Sequence, residues 1–304
     1  MRDSWLKWKL VAAYEVFYET RRIFLLRTRY RLRIMTYNET LRYIEENHCN
    51  IARFGDGEFG YFFGLKDTGF QRCSEELKWA LLNVLDKPQA NLLVCVPRYF
   101  SSLSGCNKRA KTYWRDWGKI DNRQQKIVEF LRNKCGKEYR FGDAHLTRPY
   151  IDQKSDRRAK ETYKRLKKLW EHRDLLIVEG EKTRLGVGND LLNNARSVKR
   201  ILAPAINAFE SYDQIKRAIL DHYSDQLVLL ALGSTATVLA SDLARNNIWA
   251  LDIGHLDIEY EWFLCKAKDK IAISGKFVQE TRDGKEVREC LDEEYLSQIV
   301  ARVI

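Results

Sequence analysis

From residue 36 onward the chain alternates short apolar runs with amphipathic helical patterns. Strand-like runs occupy residues 91–96, 138–141, 174–178, 198–202, 227–232 and 248–253, and another ends at residue 53. Helical patterns occupy residues 77–85, 156–171, 189–195, 211–222 and 235–246, and Ser74 is a suitable N-cap for the first. Strands separated by helices pair in parallel, because each connection must cross back over the sheet. The pattern therefore predicts an α/β fold with a Rossmann-like, doubly wound, mostly parallel sheet and flanking helices.

The two ends of the chain differ from this alternating region. Residues 1–35 read as a basic amphipathic N-terminal segment, predicted to form a helix, and residues 36–275 as the main domain. In the tail, residues 276–281 and 285–290 flank a turn centred on Asp283 and Gly284, which predicts a hairpin. A short helix follows, so residues 276–304 are expected to pack on the same domain.

Composition restricts the class of protein. The 304 residues are 45% hydrophobic and 31% charged, with 4 Pro and 16 Gly, which is typical of a globular chain. No apolar stretch approaches the roughly 18 residues of a membrane span. The seven Cys are odd in number and none forms a Cys-x-x-Cys pair, so we expect neither a disulfide framework nor a cysteine zinc site. Charged residues interrupt the N-terminus, which argues against a signal peptide and favours the cytoplasm.

The net charge of +11 is concentrated in two segments. Residues 1–35 hold nine basic and three acidic side chains, interleaved with aromatic residues such as Trp5, Trp8 and Phe17. Such a mixture predicts peripheral attachment to an anionic membrane surface, here the inner face of the plasma membrane. An ordinary amphipathic helix packed on the domain is the alternative.

The second basic segment, residues 107–173, holds 21 basic and nine acidic side chains. Counterion release would favour any polyanion there, nucleic acid included, although a solvated helix face accounts for most of the charge. Tyr113, Trp114 and Trp117 within it suit a groove for a sugar chain or a diphosphate-lipid acceptor. A nucleic-acid-binding protein would have no use for the acidic clusters at the strand ends, so we predict no nucleic-acid partner.

Ligands of open α/β sheets bind at the carboxyl ends of the strands, which directs attention to the polar residues there. Arg53, Gly55, Asp56 and Glu58 follow the first strand. Glycines on both sides of Asp56 let the backbone bend, so that Asp56 and Glu58 can converge on Mg²⁺ or Mn²⁺. Arg53 is a candidate anion partner. The alternative is a solvated turn or a helix cap.

The last predicted strand is followed by His255, Asp257, Glu259 and Glu261. So many acids at one strand end repel each other unless a cation, a substrate or an arginine compensates. An N-cap role for Asp257 would explain two of the acids but not His255. This is the most site-like cluster of the sequence.

Two further strand ends carry glycines. Gly233, Ser234 and Thr235 begin a predicted helix whose N–H groups can bind a phosphate, although Ser234 would serve equally as an N-cap. Arg184 precedes Gly186 and Gly188 at another predicted helix start, and its planar cation suits phosphate. The rest of the dinucleotide-binding fingerprint is missing, which argues against a nicotinamide enzyme.

Six motifs together resemble the GT-D-fold glycosyltransferases of bacterial surface-glycan assembly. They are RFGDGE (53–58), TRPY (147–150), VEG (178–180), RLGVGNDL (184–191), RILAP (200–204) and DIGHLDIEYEWF (252–263). The resemblance covers about residues 37–275 and departs mildly where Ser234 replaces the family's usual proline. It implies an Asp-x-Glu metal motif, a nucleotide-sugar donor such as UDP-glucose, and transfer to a growing cell-surface glycan.

On this basis the roles are assigned as follows. Asp56 and Glu58, with His255, would hold Mn²⁺ or Mg²⁺ against the diphosphate. Asp257 or Glu259 would deprotonate the acceptor if the reaction inverts the anomeric centre. The donor-binding residues would be Arg53, Gly55, Arg148, Glu179, Arg184, Gly188, Asn189, Asp190, Gly233, Ser234 and Thr235. The leading acceptor is an undecaprenyl-diphosphate-linked glycan, with a glycoprotein as alternative. A metal-dependent phosphohydrolase is the alternative function.

Overall fold

The apolar runs become the strands of one sheet in a computed structural model that describes residues 9, 10, 13, 14, 16, 17, 20, 32–86 and 88–303. The nine strands of the described chain are β1 Arg33–Ile34, β2 Asn50–Arg53, β3 Leu92–Val96, β4 Arg140–Asp143, β5 Asp174–Gly180, β6 Ser197–Ala203, β7 Leu227–Ala231, β8 Ala250–Asp252 and β9 Ile299–Arg302. Their spatial order is β1-β4-β3-β2-β8-β7-β5-β6-β9, and each pair of neighbouring strands in this order is parallel. The predicted fold class is confirmed.

Helices cover both faces of the sheet. They are α1 Tyr37–Asn47, α2 Asp56–Tyr61, α3 Glu75–Leu85, α4 Lys108–Lys119, α5 Arg123–Lys134, α6 Arg157–Leu169, α7 Tyr212–His222, α8 Ser234–Arg245, α9 Leu256–Leu264 and α10 Glu293–Ser297. The Ser74 side chain accepts a hydrogen bond from the Leu77 N–H at 3.1 Å, which confirms it as the N-cap of α3. No helix among the described residues is long and apolar enough to cross a membrane.

The core lies on both sides of the sheet, because successive strand residues point to opposite faces. In β5, Leu176 and Val178 belong to one buried apolar cluster. Leu175 and Ile177 of the same strand belong to another. A strand buried on both faces reads as an unbroken apolar run, which is the pattern that residues 174–178 show.

The two halves of the sheet meet between β2 and β8. From β2 the chain moves outward through β3 to β4, whereas β7 and β5 lie on the far side of β8. The connections leaving these two central strands therefore run in opposite directions. Such a reversal opens a crevice at the carboxyl ends of the strands, where α/β proteins bind ligands.

Several sequence predictions were wrong in detail. Residues 189–195 form turns rather than a helix, and residues 276–290, all of them described, contain no hairpin strands. After the short helix α10, which was predicted, the chain instead adds β9 as an edge strand parallel to β6. Gly284 and the charged residues within 281–290 favour turns, and the four residues of β9 are too few to be recognised by their periodicity.

The predicted N-terminal helix falls largely outside the described residues. The seven described positions between 9 and 20 are helical, and the side chains of Leu10, Tyr14 and Phe17 are exposed. At the other end of the segment, residues 33 and 34 form β1 and pair with β4. The basic N-terminal segment thus joins the domain before residue 35, while its membrane role stays a prediction.

Candidate functional site

A cleft of about 910 Å³ opens where the two halves of the sheet meet. Its walls come from residues that follow β2, β4, β7 and β8, and from helices α2 and α4. Eight of the predicted site residues line it, namely Arg53, Gly55, Asp56, Glu58, Arg148, Gly233, Ser234 and His255. Segments more than two hundred residues apart in the chain, such as those of Arg53 and His255, therefore contribute to one cleft.

The two acids of the Asp-x-Glu motif have different surroundings. The Glu58 carboxylate accepts hydrogen bonds from the Gly55 N–H at 2.8 Å and from the Ser234 hydroxyl at 2.8 Å. Burial raises the pKa of Glu58, and these hydrogen bonds oppose the rise. Asp56, in the first turn of α2, accepts a hydrogen bond from the Tyr113 hydroxyl of α4. Glu58 therefore ties α2 to α8, while Asp56 ties α2 to the aromatic wall.

Arg53 and Asp252 connect the ends of β2 and β8. Their side chains form an ion pair with 2.7 Å between Arg53 Nη2 and Asp252 Oδ1, and Arg53 Nη1 donates to the Thr147 hydroxyl at 2.8 Å. A Cβ on Gly254, whose φ is +46°, would lie 1.9 Å from Arg53 Nη2. Glycine is required there both by the backbone and by the approach of the guanidinium. The predicted anion partner thus already holds the two halves of the sheet together.

Three basic side chains of the cleft surround one carboxylate. Glu280 Oε1 lies 2.7 Å from Arg148 Nη2 and 3.8 Å from Lys270 Nζ, and Glu280 Oε2 lies 3.1 Å from His255 Nε2. Burial raises the pKa of Glu280, but His255 and Arg148 outweigh it and hold that pKa far below its usual range. Burial also lowers the pKa of Lys270. Arg148 and Lys270 are suited to a dianionic phosphate as well as to a carboxylate.

Asp257 and Glu259, the predicted bases, do not line the cleft. Asp257 accepts hydrogen bonds from the Gly186 N–H at 2.9 Å and from Lys276 Nζ at 2.7 Å. Glu259 is fully buried and accepts from Arg148 Nε at 3.3 Å and from two backbone N–H groups, those of residues 150 and 151. Burial raises the pKa of Glu259. In this arrangement both acids hold structure together, and neither is presented to an acceptor.

The other six predicted donor-binding residues do not line the cleft. Glu179 forms a buried ion pair with Arg200 at 2.7 Å. Arg184 adopts a φ of 51° and donates to the carbonyl oxygens of residues 275 and 288. Asp190 forms an ion pair with Lys167, and the side-chain amide of Asn189 donates to Asp257 and Glu261. Gly188 lies in the same series of turns and has a positive φ. The buried Thr235 hydroxyl has no hydrogen-bond partner among the described residues. Most of these side chains are therefore bonded to other parts of the protein and stabilise the fold around the cleft.

Aromatic residues of the second basic segment form one wall of the cleft. Tyr113, Trp114 and Trp117 all line it from α4. Trp117 also contacts the guanidinium of Arg123, 5.1 Å from the ring centroid. The three aromatic residues therefore share one cleft with the Asp-x-Glu motif, which Tyr113 contacts through Asp56, and their role toward an acceptor stays a prediction.

The sequence analysis missed His145, Lys270 and Glu280 as cleft residues. His145 follows β4 by two residues, so the rule about polar residues at strand ends would have found it had that strand been extended to residue 143. Lys270 and Glu280 lie in irregular segments after α9. Their spacing carries no periodic signal, and only the folded chain brings them to the cleft.

The donor chemistry of Asp56, Glu58 and His255 fits a divalent cation, because two carboxylates and an imidazole line one cleft. Glu58 and His255 are hydrogen-bonded to protein partners, however. Within the described residues no group of three or more His, Cys, Asp or Glu side chains is arranged to hold a metal. Binding would thus require His255 to exchange its hydrogen bond with Glu280 for the ion.

The parallel sheet and the polar, aromatic-lined cleft at its topological reversal define a ligand-binding protein of the doubly wound α/β class. Within that class, the chain belongs to the glycosyltransferase GT-D fold family, whose model matches residues 51–281. The resemblance drawn from the six sequence motifs is therefore confirmed.

Two curated relatives are similar over most of this chain. Glycosyltransferase GlyD of Streptococcus pneumoniae serotype 4 is 35% identical over 274 residues, which are 90% of this chain and 33% of that protein. The probable glycosyl transferase Gly of Streptococcus gordonii is 35% identical over 271 residues, which are 89% of this chain and 39% of that protein. The chain spans between a third and two fifths of the length of these relatives.

Solved structures share the whole fold. One, described as "The highly conserved domain of unknown function 1792 has a distinct glycosyltransferase fold", is 36% identical with a TM-score of 0.83 and covers 93% of this chain and 99% of its own. Another, described as "A New Glycosyltransferase (DUF1792) from Streptococcus sanguinis", is 35% identical with a TM-score of 0.81. The match covers 90% of this chain and 100% of that chain.

Proposed function

We propose that the protein transfers a hexose from a UDP-sugar, in particular glucose from UDP-glucose, to a hydroxyl group of a growing cell-surface glycan. One observation carries this proposal. A single cleft combines an acid of the Asp-x-Glu motif, a group of cations and a wall of aromatic rings. These are the features that a charged leaving group and a sugar acceptor require, and membership of a glycosyltransferase family supports the assignment.

The diphosphate would bind between Arg148, Lys270 and the N-terminus of α8. The start of that helix carries partial positive charge, and Gly233, with a φ of +53°, and Ser234 belong to the cleft lining. In the structure the Glu280 carboxylate forms ion pairs with Arg148 and Lys270. Donor binding would therefore move Glu280 away from Arg148, or place a cation between Glu280 and the phosphates.

Mn²⁺ or Mg²⁺ would be held by Asp56 and His255, with Glu58 fixing the turn that carries Asp56. When bound, such an ion neutralises charge that develops on the departing nucleoside diphosphate. The protein's own contribution is to orient the donor: Arg148 and Ser234 position the phosphates, and Tyr113 fixes the Asp56 carboxylate.

The acceptor would lie along the aromatic wall, because sugar rings pack well against indole and phenol faces. We infer that this acceptor is a lipid-linked glycan, since the basic N-terminal segment would confine the enzyme to the surface that carries it. Replacing Arg27, Arg29 and Arg31 together by Ser should reduce flotation with anionic liposomes. Unchanged flotation would contradict the membrane proposal without affecting the cleft.

The transfer reaction can be tested with the purified full chain. UDP-glucose and a panel of other nucleotide sugars are incubated with and without Mn²⁺, using either detergent-extracted lipid-linked glycan or glycopeptide as acceptor. We expect a glycosylated product that is lost in Asp56→Asn, while Asp86→Asn, a matched change on the exposed end of α3, keeps full activity. Release of sugar phosphate or inorganic phosphate at the same rate without any acceptor would instead establish a phosphohydrolase.

A further inference from the structure

His145 lies at the carboxyl end of β4, inside the cleft. Its backbone N–H donates to Asp143 Oδ1 at 3.0 Å, which begins a single helical turn over residues 144–147. Arg53 holds the end of this turn through the Thr147 hydroxyl at 2.8 Å. The backbone around His145 is therefore fixed to the junction of β2 and β8, where the donor is proposed to bind.

The His145 ring is buried without a hydrogen-bond partner for its Nδ1. The residue is 6% exposed, and its Nδ1 lies 3.7 Å from Asp143 Oδ1, beyond hydrogen-bond distance. Asp143 is fully buried, and its second oxygen, Oδ2, also has no partner among the described residues. Buried polar atoms are normally paired, and leaving one unpaired costs about 1–3 kcal/mol. Two such atoms on neighbouring residues of one cleft point to a functional requirement.

Aromatic rings hold the imidazole in place. The Tyr99 ring packs against it with 4.0 Å between centroids, and the Trp114 ring meets it at an angle of 78° with 5.5 Å between centroids. Trp114 belongs to the aromatic wall that is proposed to bind the acceptor. Because Nδ1 is turned toward Asp143, Nε2 is the ring nitrogen that remains to face the cleft.

We propose that His145 is the general base of the transfer reaction and that Asp143 is its positioning residue. This proposal rests on the proposed function. His145 would then have the role for which the sequence suggested Asp257 or Glu259. In the structure those two acids accept hydrogen bonds from Lys276 and from the backbone N–H of residue 151, respectively. The Asp143 carboxylate, with Oδ1 3.7 Å from Nδ1, would stabilise by its charge the imidazolium that forms when Nε2 accepts a proton.

The transfer step couples one proton transfer to one exchange of bonds at the anomeric carbon. The acceptor hydroxyl gives its proton to His145 Nε2 as its oxygen forms a bond to the anomeric carbon of the donor sugar. The bond from that carbon to the phosphate oxygen breaks, and its electron pair leaves with the nucleoside diphosphate. The acceptor hydroxyl that His145 activates attacks the anomeric carbon from the side opposite the leaving group. The configuration at that carbon is therefore inverted.

The first test uses His145→Ala, which removes the imidazole and leaves space for a free one. With UDP-glucose, or the donor that the panel selects, kcat should fall by about 10²–10⁴-fold. Calorimetric binding of UDP with Mn²⁺ should change by less than about twofold, because the base does not contact the diphosphate. Free imidazole should restore part of kcat in His145→Ala but none in Asp56→Asn.

Controls separate this role from a merely structural one. His48 packs edge to face on Trp249 at 4.8 Å, well outside the cleft, so His48→Asn should leave kcat unchanged. Asp143→Asn should lower kcat in the wild-type background and add little to His145→Ala, since it acts through the ring. The anomeric configuration of the product, measured by proton NMR, should be inverted.

The outcomes distinguish the two proposals. A wild-type protein that transfers no sugar refutes the proposed function. A wild-type protein that transfers sugar, together with His145→Ala that keeps its kcat, refutes the role of His145 alone. Retention of configuration, or a lost kcat that imidazole fails to restore, also counts against the base and leaves the glycosyltransferase activity standing.

Discussion

Gly254→Ala tests whether the Arg53–Asp252 ion pair holds the two halves of the sheet together. The new Cβ would lie 1.9 Å from Arg53 Nη2 and 2.9 Å from its Cζ, and both distances are too short for atoms that are not bonded to each other. A flexible arginine would move aside at little cost. Arg53 is not flexible here, because Asp252 and Thr147 both fix its guanidinium.

The expected loss of stability has two parts. A residue with a Cβ in the left-handed region costs about 1–2 kcal/mol. Breaking a buried ion pair costs about 3–5 kcal/mol, because one charge is left buried without its partner. The Asp252 side chain is 1% exposed and that of Arg53 15%, so solvent screens the pair only slightly. The free energy of unfolding should therefore fall by about 4–7 kcal/mol.

Gly136→Ala is the matched control. Its φ is +97°, also positive, but a Cβ there meets no atom within 4 Å. It should lose only the backbone part, about 1–2 kcal/mol. Guanidinium unfolding followed by the fluorescence of the eight tryptophans measures both variants. Equal losses in the two variants would show that the ion pair contributes nothing, and the reasoning about the sheet junction would be wrong.

Three further predictions concern the surroundings of the cleft. The folded-state pKa of Glu280 is depressed, so its stabilising effect is complete above the unfolded pKa of about 4.3 and is lost as pH falls; the stability difference between wild type and Glu280→Gln should shrink below about pH 4.3. Arg200→Met leaves Glu179 buried without its cation and should cost about 3–5 kcal/mol, part of which Glu179→Gln in the same chain recovers. Trp117→Ala should raise the acceptor KM by roughly 2–10-fold, equivalent to about 0.5–1.5 kcal/mol, without changing UDP binding in calorimetry. The argument about Glu280 would be wrong if the stability difference between wild type and Glu280→Gln did not change with pH. An unaffected unfolding midpoint in Arg200→Met, or an unchanged acceptor KM in Trp117→Ala, would contradict the other two.

The sheet was predictable because each central strand is a short apolar run bounded by turn residues. Strands such as β5 and β7 are buried on both faces, so their sequences need no alternation and stand out as blocks. The reading of residues 189–195 as a helix was wrong for an opposite reason. Gly186 and Gly188 adopt positive φ angles, and Asn189 uses its side chain to bond to Asp257 and Glu261 rather than to begin a helix.

The site was predictable only in part. Sequence motifs located the residues at the ends of β2, β7 and β8, because a parallel sheet brings those ends to one edge. They did not show which acids face the cleft. Asp257 and Glu259 lie on α9 with periodicity typical of a helix start, and the burial that removes them from the cleft depends on Lys276 and Arg148, which come from distant segments.

The two acids of the Asp-x-Glu motif, which the sequence predicted to act together on a metal ion, have different surroundings in the structure. Glu58 receives hydrogen bonds from the start of α2 and from α8, and both of its oxygens are used. Replacing it would therefore separate these elements before it affected any ligand. Asp56 is held by one hydroxyl group and lines the cleft. If this division is correct, Glu58→Gln should lower the unfolding midpoint, whereas Asp56→Asn should lower transfer at nearly unchanged stability, and a variant pair with the reverse pattern would exchange the two roles.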